Sequence, residues 1–238
     1  MNKYVLADMV TEKLKREIGM VPKPLPEEVK TLETVLPSGR LRIESTLYQA
    51  EKLKKITLSK RSLGESTAGT IVIMVADDEY DIPSTLADIA FNFDEKVKIS
   101  ALFQSRPLMK DDESARNYVE PFREWYEAIC KLPSEPAITP GEPGEFLKVN
   151  PAPIKYMRFI PDSYLDEVLK FAEQFFDIFV DIYHKAEPVK DAQRKRQMQA
   201  FRSEFNKHIL WDDPSGRVLM ETFGQQKAEL FYDHLIYL

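Results

Sequence analysis

The chain has 238 residues, of which 43% are hydrophobic and 30% charged, with a formal net charge of −6 at neutral pH. That balance excludes disorder, and the net negative charge argues against general nucleic-acid binding, which needs a cationic surface to neutralise phosphate. No apolar stretch reaches membrane-spanning length and no composition break divides the sequence, so one domain over residues 1–238 is expected, with no membrane partner.

Val5, Leu6, Met9, Val10, Leu14 and Ile18 recur at three- and four-residue steps and predict an amphipathic helix that stops near Gly19 and a proline-bearing segment. This pattern lacks the continuous apolar centre of a signal peptide, and a single Cys130 permits no internal disulfide; both agree with a cytoplasmic protein. Residues 54–59 read as a strand set among Lys52, Lys54, Lys55, Lys60 and Arg61, which against Glu51 give residues 51–61 a local charge of +4. Such a patch suits an acidic partner, or equally a lysine-protected edge strand.

The stretch 71–103, which begins IVIMVADDEYDIPSTLADIAFNF, holds three short runs rich in Val, Ile and Phe joined by acidic or polar connections, the pattern of antiparallel strands. Between residues 77 and 95 stand seven acids, Asp77, Asp78, Glu79, Asp81, Asp88, Asp94 and Glu95, with no Lys or Arg. Six fall in predicted turns. Asp88 precedes Ile89, Ala90 and Phe91 at the mouth of a predicted buried strand, where a carboxylate must be paired, hydrogen-bonded or protonated. It is either a functional acid or a turn aspartate that caps the backbone.

Phe122, Trp125, Tyr126 and Ile129 share one face of a helix with Pro121 in its first turn, and residues 131–153, with six prolines, read as an irregular surface connection. A short strand is predicted at 154–159. Ser163 with Asp166 resembles a capping box opening a helix whose stripe runs from Leu165 through Phe175, Phe176 and Phe179 to Tyr183. That stripe is core in character, although an aromatic face against a sheet can also wall a flat ligand. Residues 190–207 form a second basic patch of net +4, and Asp212, Asp213 and Pro214 break the helix before two shorter ones, the first ending at Gly224.

Neither type of glycine-rich phosphate loop occurs, no Gly-x-Ser-x-Gly elbow is present, and His184, His208 and His234 lack metal-ligand spacing. Chemistry without a bound cofactor or metal is the default.

The run Tyr80-Asp81-Ile82-Pro83-Ser84-Thr85-Leu86-Ala87-Asp88-Ile89 resembles the signature of the ferredoxin-dependent bilin reductases, with Asp88 on the family's catalytic aspartate and Leu86 in place of its usual Gly. The closing run from Trp211 through Asp213-Pro214-Ser215-Gly216 to Thr222-Phe223-Gly224 is similar to the family's last segment, with Asp213 on its second, helix-borne carboxylate. The resemblance extends over about residues 45–238. It implies a three-layer α/β/α sandwich of the α+β class, a central antiparallel sheet flanked by helices. It also implies a linear tetrapyrrole such as biliverdin bound between sheet and helices, reduced ferredoxin as electron donor, no bound cofactor, and a monomer. Asp88 and Asp213 would be proton donors, and Arg158 or either basic patch would hold the pigment's propionates. The patches would also steer an acidic ferredoxin. Counted back from Asp88, the catalytic histidine of the phycocyanobilin-forming members falls on Ile71 and their strand glutamate on Ser59, so these two positions can contact pigment but not protonate it. A two-electron reduction is therefore expected in place of a four-electron one. The alternatives are a non-catalytic tetrapyrrole carrier and a reductase of a chlorophyll-derived open-chain tetrapyrrole.

Overall fold

The computed structural model describes residues 3–93, 98–137 and 141–238, so Asp94 and Glu95, read above as turn acids, lie outside the described residues. In chain order the elements are α1 (Val5–Ile18), β1 (Val21–Lys23), α2 (Glu27–Lys30), β2 (Thr31–Leu36), β3 (Gly39–Ala50), β4 (Leu53–Leu63), β5 (Thr67–Ala76), β6 (Ser84–Asn92) and β7 (Lys98–Arg106). There follow α3 (Asp112–Ser114), a π turn (Ala115–Val119), a 3-10 turn (Glu120–Phe122) that holds Pro121, α4 (Arg123–Ile129), β8 (Glu135–Pro136), α5 (Glu145–Val149) and β9 (Ile154–Pro161). The chain closes with α6 (Leu165–Lys185), α7 (Ala192–Asp212), α8 (Pro214–Phe223) and α9 (Gln225–Leu235).

Among the described residues the strands form one antiparallel sheet in the order β1-β3-β4-β5-β6-β7-β9-β8, with β2 paired to the first half of β3. Alternation divides its side chains between two helical layers. One face carries Ile56, Val72, Met74, Ala87, Ile89, Phe103 and Tyr156 and is covered by α1, α4 and α6. There Phe103, Phe122, Trp125 and Phe175 pack with ring centroids 5.1 to 6.3 Å apart, so the aromatic centre of the α6 stripe is core. The other face carries Leu47, Ile73 and Val75 and is covered by α2 and α7 to α9. The three-layer α+β sandwich read from the family resemblance is the fold observed.

Several local expectations change. Residues 21–50, read without strands, hold β1, β2 and β3; Leu41, Ile43, Ser45 and Leu47 alternate there with Arg42, Glu44, Thr46 and Tyr48. Asp88 lies in the middle of β6 instead of at a strand mouth. The Ser163–Asp166 capping box does not form: residues Asp162–Tyr164 make a 3-10 turn, and α6 starts without a side-chain cap. Among the described residues no helix is long and apolar enough to cross a membrane.

The acidic connection from β5 to β6 and the basic run on α7 neutralise one another. Arg194 Nε and Nη2 donate to Asp81 Oδ2 at 2.9 and 2.5 Å, and its Nη1 reaches Asp111 at 2.8 Å and Glu113 at 3.2 Å. Lys195 pairs with Glu79, and Arg202, itself buried, pairs with Asp78 and donates to Asp77 O at 3.1 Å. The first patch is dispersed in the same way: Lys52 donates to the Tyr183 and Ala186 carbonyls at the end of α6, and Lys54 bonds Asp78 at 2.7 Å. Much of each run is thus spent inside the fold, which removes the basis for reading either as a continuous docking surface. The clamp fixes the chain just before β6. Asp81 is 4% exposed, and removing its partner leaves a buried charge alone. Arg194→Met is therefore expected to cost about 3 kcal/mol in chemical denaturation; a loss under about 1 kcal/mol would mean that the clamp contributes as little as a surface pair.

Candidate active site

The in-register partners Ser45, Ser59, Ile71, Asp88, Leu102 and Met157 form one row across β3, β4, β5, β6, β7 and β9. Directly paired residues point to the same side, so the row lies on the face covered by α7 to α9 and runs about 24 Å at the usual strand spacing. Three residues singled out in the sequence, Ser59, Ile71 and Asp88, are thus adjacent. The next row along, Thr57 with Ile73 and Leu86, lies beneath the tail helix. There the Thr57 hydroxyl donates to Leu235 O at 2.8 Å, and Lys55 Nζ donates to Asp233 O at 2.6 Å and Tyr237 O at 3.1 Å. Burial pushes the Lys55 amine down to about 8. In the adjacent Asp88 row Ile71 packs against the same helical cluster, and Ile71, Leu102 and Met157 are half-buried.

Asp88 is met by a residue the sequence did not single out by itself. Arg61, on β4, reaches across β5, and its Nη2 donates to both carboxylate oxygens, at 3.0 Å to Oδ1 and 2.7 Å to Oδ2. Gly69 on β5 is the register partner of both Arg61 and Ala90. A Cβ at Gly69 would stand 2.6 Å from the Ala90 Cβ, and its absence leaves the crossing open. The Asp88 side chain is 13% exposed and that of Arg61 31%. Burial pushes the Asp88 carboxyl up, opposed by the charge and hydrogen bonds of Arg61. Beside it the Ser59 and Ser45 hydroxyls bond each other at 2.8 Å, which satisfies two buried oxygens within the row.

The structure separates the other two expected residues from this row. Arg158 is one residue out of phase with Met157: it pairs with Ala101, which is buried in the α4 and α6 core, so its side chain is on the opposite face from Asp88. Its assignment as a propionate ligand does not survive that placement. Asp213 is at the junction of α7 and α8 in the layer over the Asp88 face. Its Oδ1 accepts from Ser215 N at 3.0 Å, which caps α8, and its Oδ2 accepts from the Tyr232 hydroxyl at 3.2 Å. Gly216 permits that closeness, since a Cβ there would fall 2.2 Å from Leu210 O and 2.8 Å from the Tyr232 hydroxyl. Burial first, and then Asp213, pushes the Tyr232 phenol up.

A carboxyl group with this setting can move a proton, provided it is first protonated, because in the ion pair both its oxygens act as acceptors. The apolar neighbours Ile71 and Leu102 suit a flat, largely apolar ligand lying over it. Comparison with known proteins agrees with the sequence resemblance. The family described as ferredoxin-dependent bilin reductase matches residues 7–237, and the chain belongs to that family. Of solved structures, that of phytochromobilin synthase from tomato in complex with biliverdin is similar in fold, with a TM-score of 0.73 at 16% identity over 95% of this chain and 82% of that one. No curated protein matches by sequence comparison.

The direction of the Asp88 shift sets a stability test. With the folded value above the unfolded one, native Asp88 keeps its proton over a pH range in which the unfolded chain has lost it, so its contribution is present at low pH and is lost as pH rises through the folded value. Asp88→Asn does not titrate. Urea unfolding from about pH 4 to about pH 7 is expected to show the variant gaining on the wild type as pH rises; a variant that loses ground would mean that Arg61 outweighs burial.

Proposed function

We propose that this bilin reductase binds a linear tetrapyrrole of the biliverdin type between the Asp88 row and the layer of α7 to α9, and reduces one double bond with two electrons from ferredoxin, using Asp88 as proton donor. The observation that carries the reading is the position of Asp88: a mostly buried carboxyl in the middle of a row whose other members, Ser45, Ser59, Ile71, Leu102 and Met157, are uncharged. Family membership supplies the substrate class and the donor.

Reduction of one double bond consumes two electrons and two protons. Ferredoxin delivers the electrons singly, and a conjugated pigment that has gained one becomes more basic. An acid within hydrogen-bond reach then traps the added charge by protonating the pigment. Protonated Asp88 gives that proton and is reloaded from solvent, which also supplies the second proton. Ile71 excludes water on one side of the carboxyl, and Ser59, tied to Ser45, offers an oxygen to a pigment nitrogen. Neither replaces a proton donor, which favours one two-electron step. Asp213 has both oxygens engaged in the tail, and we assign it to holding the roof of the site instead of to proton transfer. The protein acts as a single-domain monomer in the cytoplasm with no bound cofactor, since the electrons arrive from outside.

Anaerobic incubation with biliverdin and reduced ferredoxin is expected to change the pigment spectrum over many turnovers. A bound pigment whose spectrum stays constant would contradict the reductase reading and favour a carrier. Asp88→Asn should lower kcat by ~10²-fold or more, the usual contribution of a general acid, and near wild-type turnover would remove Asp88 from the reaction. Product spectra from biliverdin and from a chlorophyll-derived open-chain tetrapyrrole, compared side by side, identify the substrate class.

A further inference from the structure

Arg61 has no part in the reaction described so far, yet it is bonded to both oxygens of the group that must carry the proton. In that state Asp88 is a carboxylate, and a carboxylate held by a guanidinium is a poor acid. The pair is also unusually exchangeable. A single guanidinium nitrogen, Nη2, makes both contacts, so the two-nitrogen fork that makes arginine pairs rigid is not used. The arginine end is the more open one, at 31% exposure against 13% for Asp88, so another anion can approach Arg61 from solvent while Asp88 stays covered.

Among the described residues Asp88 has no other ion-pair partner. From the neighbouring strands it is faced by Arg61 on β4, Ile71 and Gly69 on β5, Leu102 and Ser100 on β7 and, beyond them, Met157 on β9. In the helical layer over this face Asp213 is bonded to Tyr232, and on β4 itself Lys55 is turned to the carbonyls of the tail. Among the described residues the charge that acts on Asp88 is that of Arg61. A linear tetrapyrrole of the proposed class carries carboxylate side arms, and these are anions of the kind that guanidinium groups bind best.

We propose that substrate entry loads the acid by ion-pair exchange: a carboxylate arm of the tetrapyrrole takes the Arg61 guanidinium from Asp88, and Asp88, left covered without a counter-charge, takes up one proton from solvent. This rests on the reading of the site as a bilin site. Charge balances across the exchange, since the arm replaces the Asp88 carboxylate at Arg61 and the proton neutralises Asp88. The burial that already pushes its carboxyl up supplies the drive once Arg61 leaves. Arg61 is thus a positioning residue: before pigment arrives it holds the acid ionised, and on arrival it hands over its charge. The covering pigment and the loaded acid then appear together, which couples proton supply to occupancy.

Calorimetric titration of the whole protein with biliverdin, anaerobically and without ferredoxin, in two buffers of different ionisation enthalpy, counts the protons taken up on binding. The wild type is expected to take up close to one proton at neutral pH, and Asp88→Asn none. Arg61→Met should bind roughly tenfold more weakly, for the lost charged contact, with uptake much reduced because losing Arg61 pushes the Asp88 carboxyl further up before pigment binds. Biliverdin dimethyl ester, whose arms carry no charge, tests the same step on the unaltered protein and is expected to bind without proton uptake. Biliverdin binding with no proton uptake, or uptake that persists with the ester, would overturn the exchange while leaving the bilin site standing. Absence of biliverdin binding would overturn the reading of the site itself.

Discussion

Burying the Asp88 carboxyl in the middle of a sheet strand costs free energy when it is charged, and the Arg61 guanidinium is what offsets that cost. Much of the architecture around the site answers to this pair. The antiparallel register sets Asp88 opposite Ile71 and Leu102. The length of β4 carries Arg61 to the row beyond Ser59. Glycine at position 69 leaves the strand between them open enough to cross. The helical layer closes over Thr57 and Ile73 and packs on Ile71, while Ile71 and Leu102 stay half-buried.

Holding that row in place is a matter of charge pairing at a distance from it. The connection into β6 is acidic, and α7 meets it with Arg194, Lys195 and Arg202. At the other end of the face, Lys55 and Thr57 tie the tail helix to β4, and Asp213 links the start of α8 to Tyr232. The chain uses many of its charged residues internally as fasteners between helices and sheet. Local net charge along a sequence therefore describes this surface poorly: two runs of +4 are partly cancelled by carboxylates and carbonyls distant in sequence.

The layered fold and the central acid were legible because each rests on a local pattern. Alternating apolar runs mark β5, β6 and β7, the stripe on α6 marks its buried side, and the short motif around Asp88 carries the family signature. What was not legible depends on register. With residues 54–59 read as the strand that in fact runs from Leu53 to Leu63, nothing set Arg61 in register with its neighbours, and it counted as one more cation of a patch. Arg158 looked suitable by composition, but a one-residue offset turns it to the other face, and in a strand that decides everything about what it can touch. The strands β1 to β3 were missed although Leu41 to Tyr48 alternate cleanly, because their outward residues are charged and the inward ones few. Asp213 was found by motif, yet its hydrogen bonds to Ser215 and Tyr232 exist only once three helices meet.

Burial on one side and Arg61 on the other set the protonation of the Asp88 carboxyl. The most direct measurement is a carbon-13 NMR titration of the Asp88 side-chain carboxyl in the pigment-free protein, in wild type and in Arg61→Met. The result expected is a midpoint above that of an ordinary aspartate in the wild type and a further rise in the variant. A midpoint that stays the same when Arg61 is removed would mean that the guanidinium does not set the protonation of Asp88.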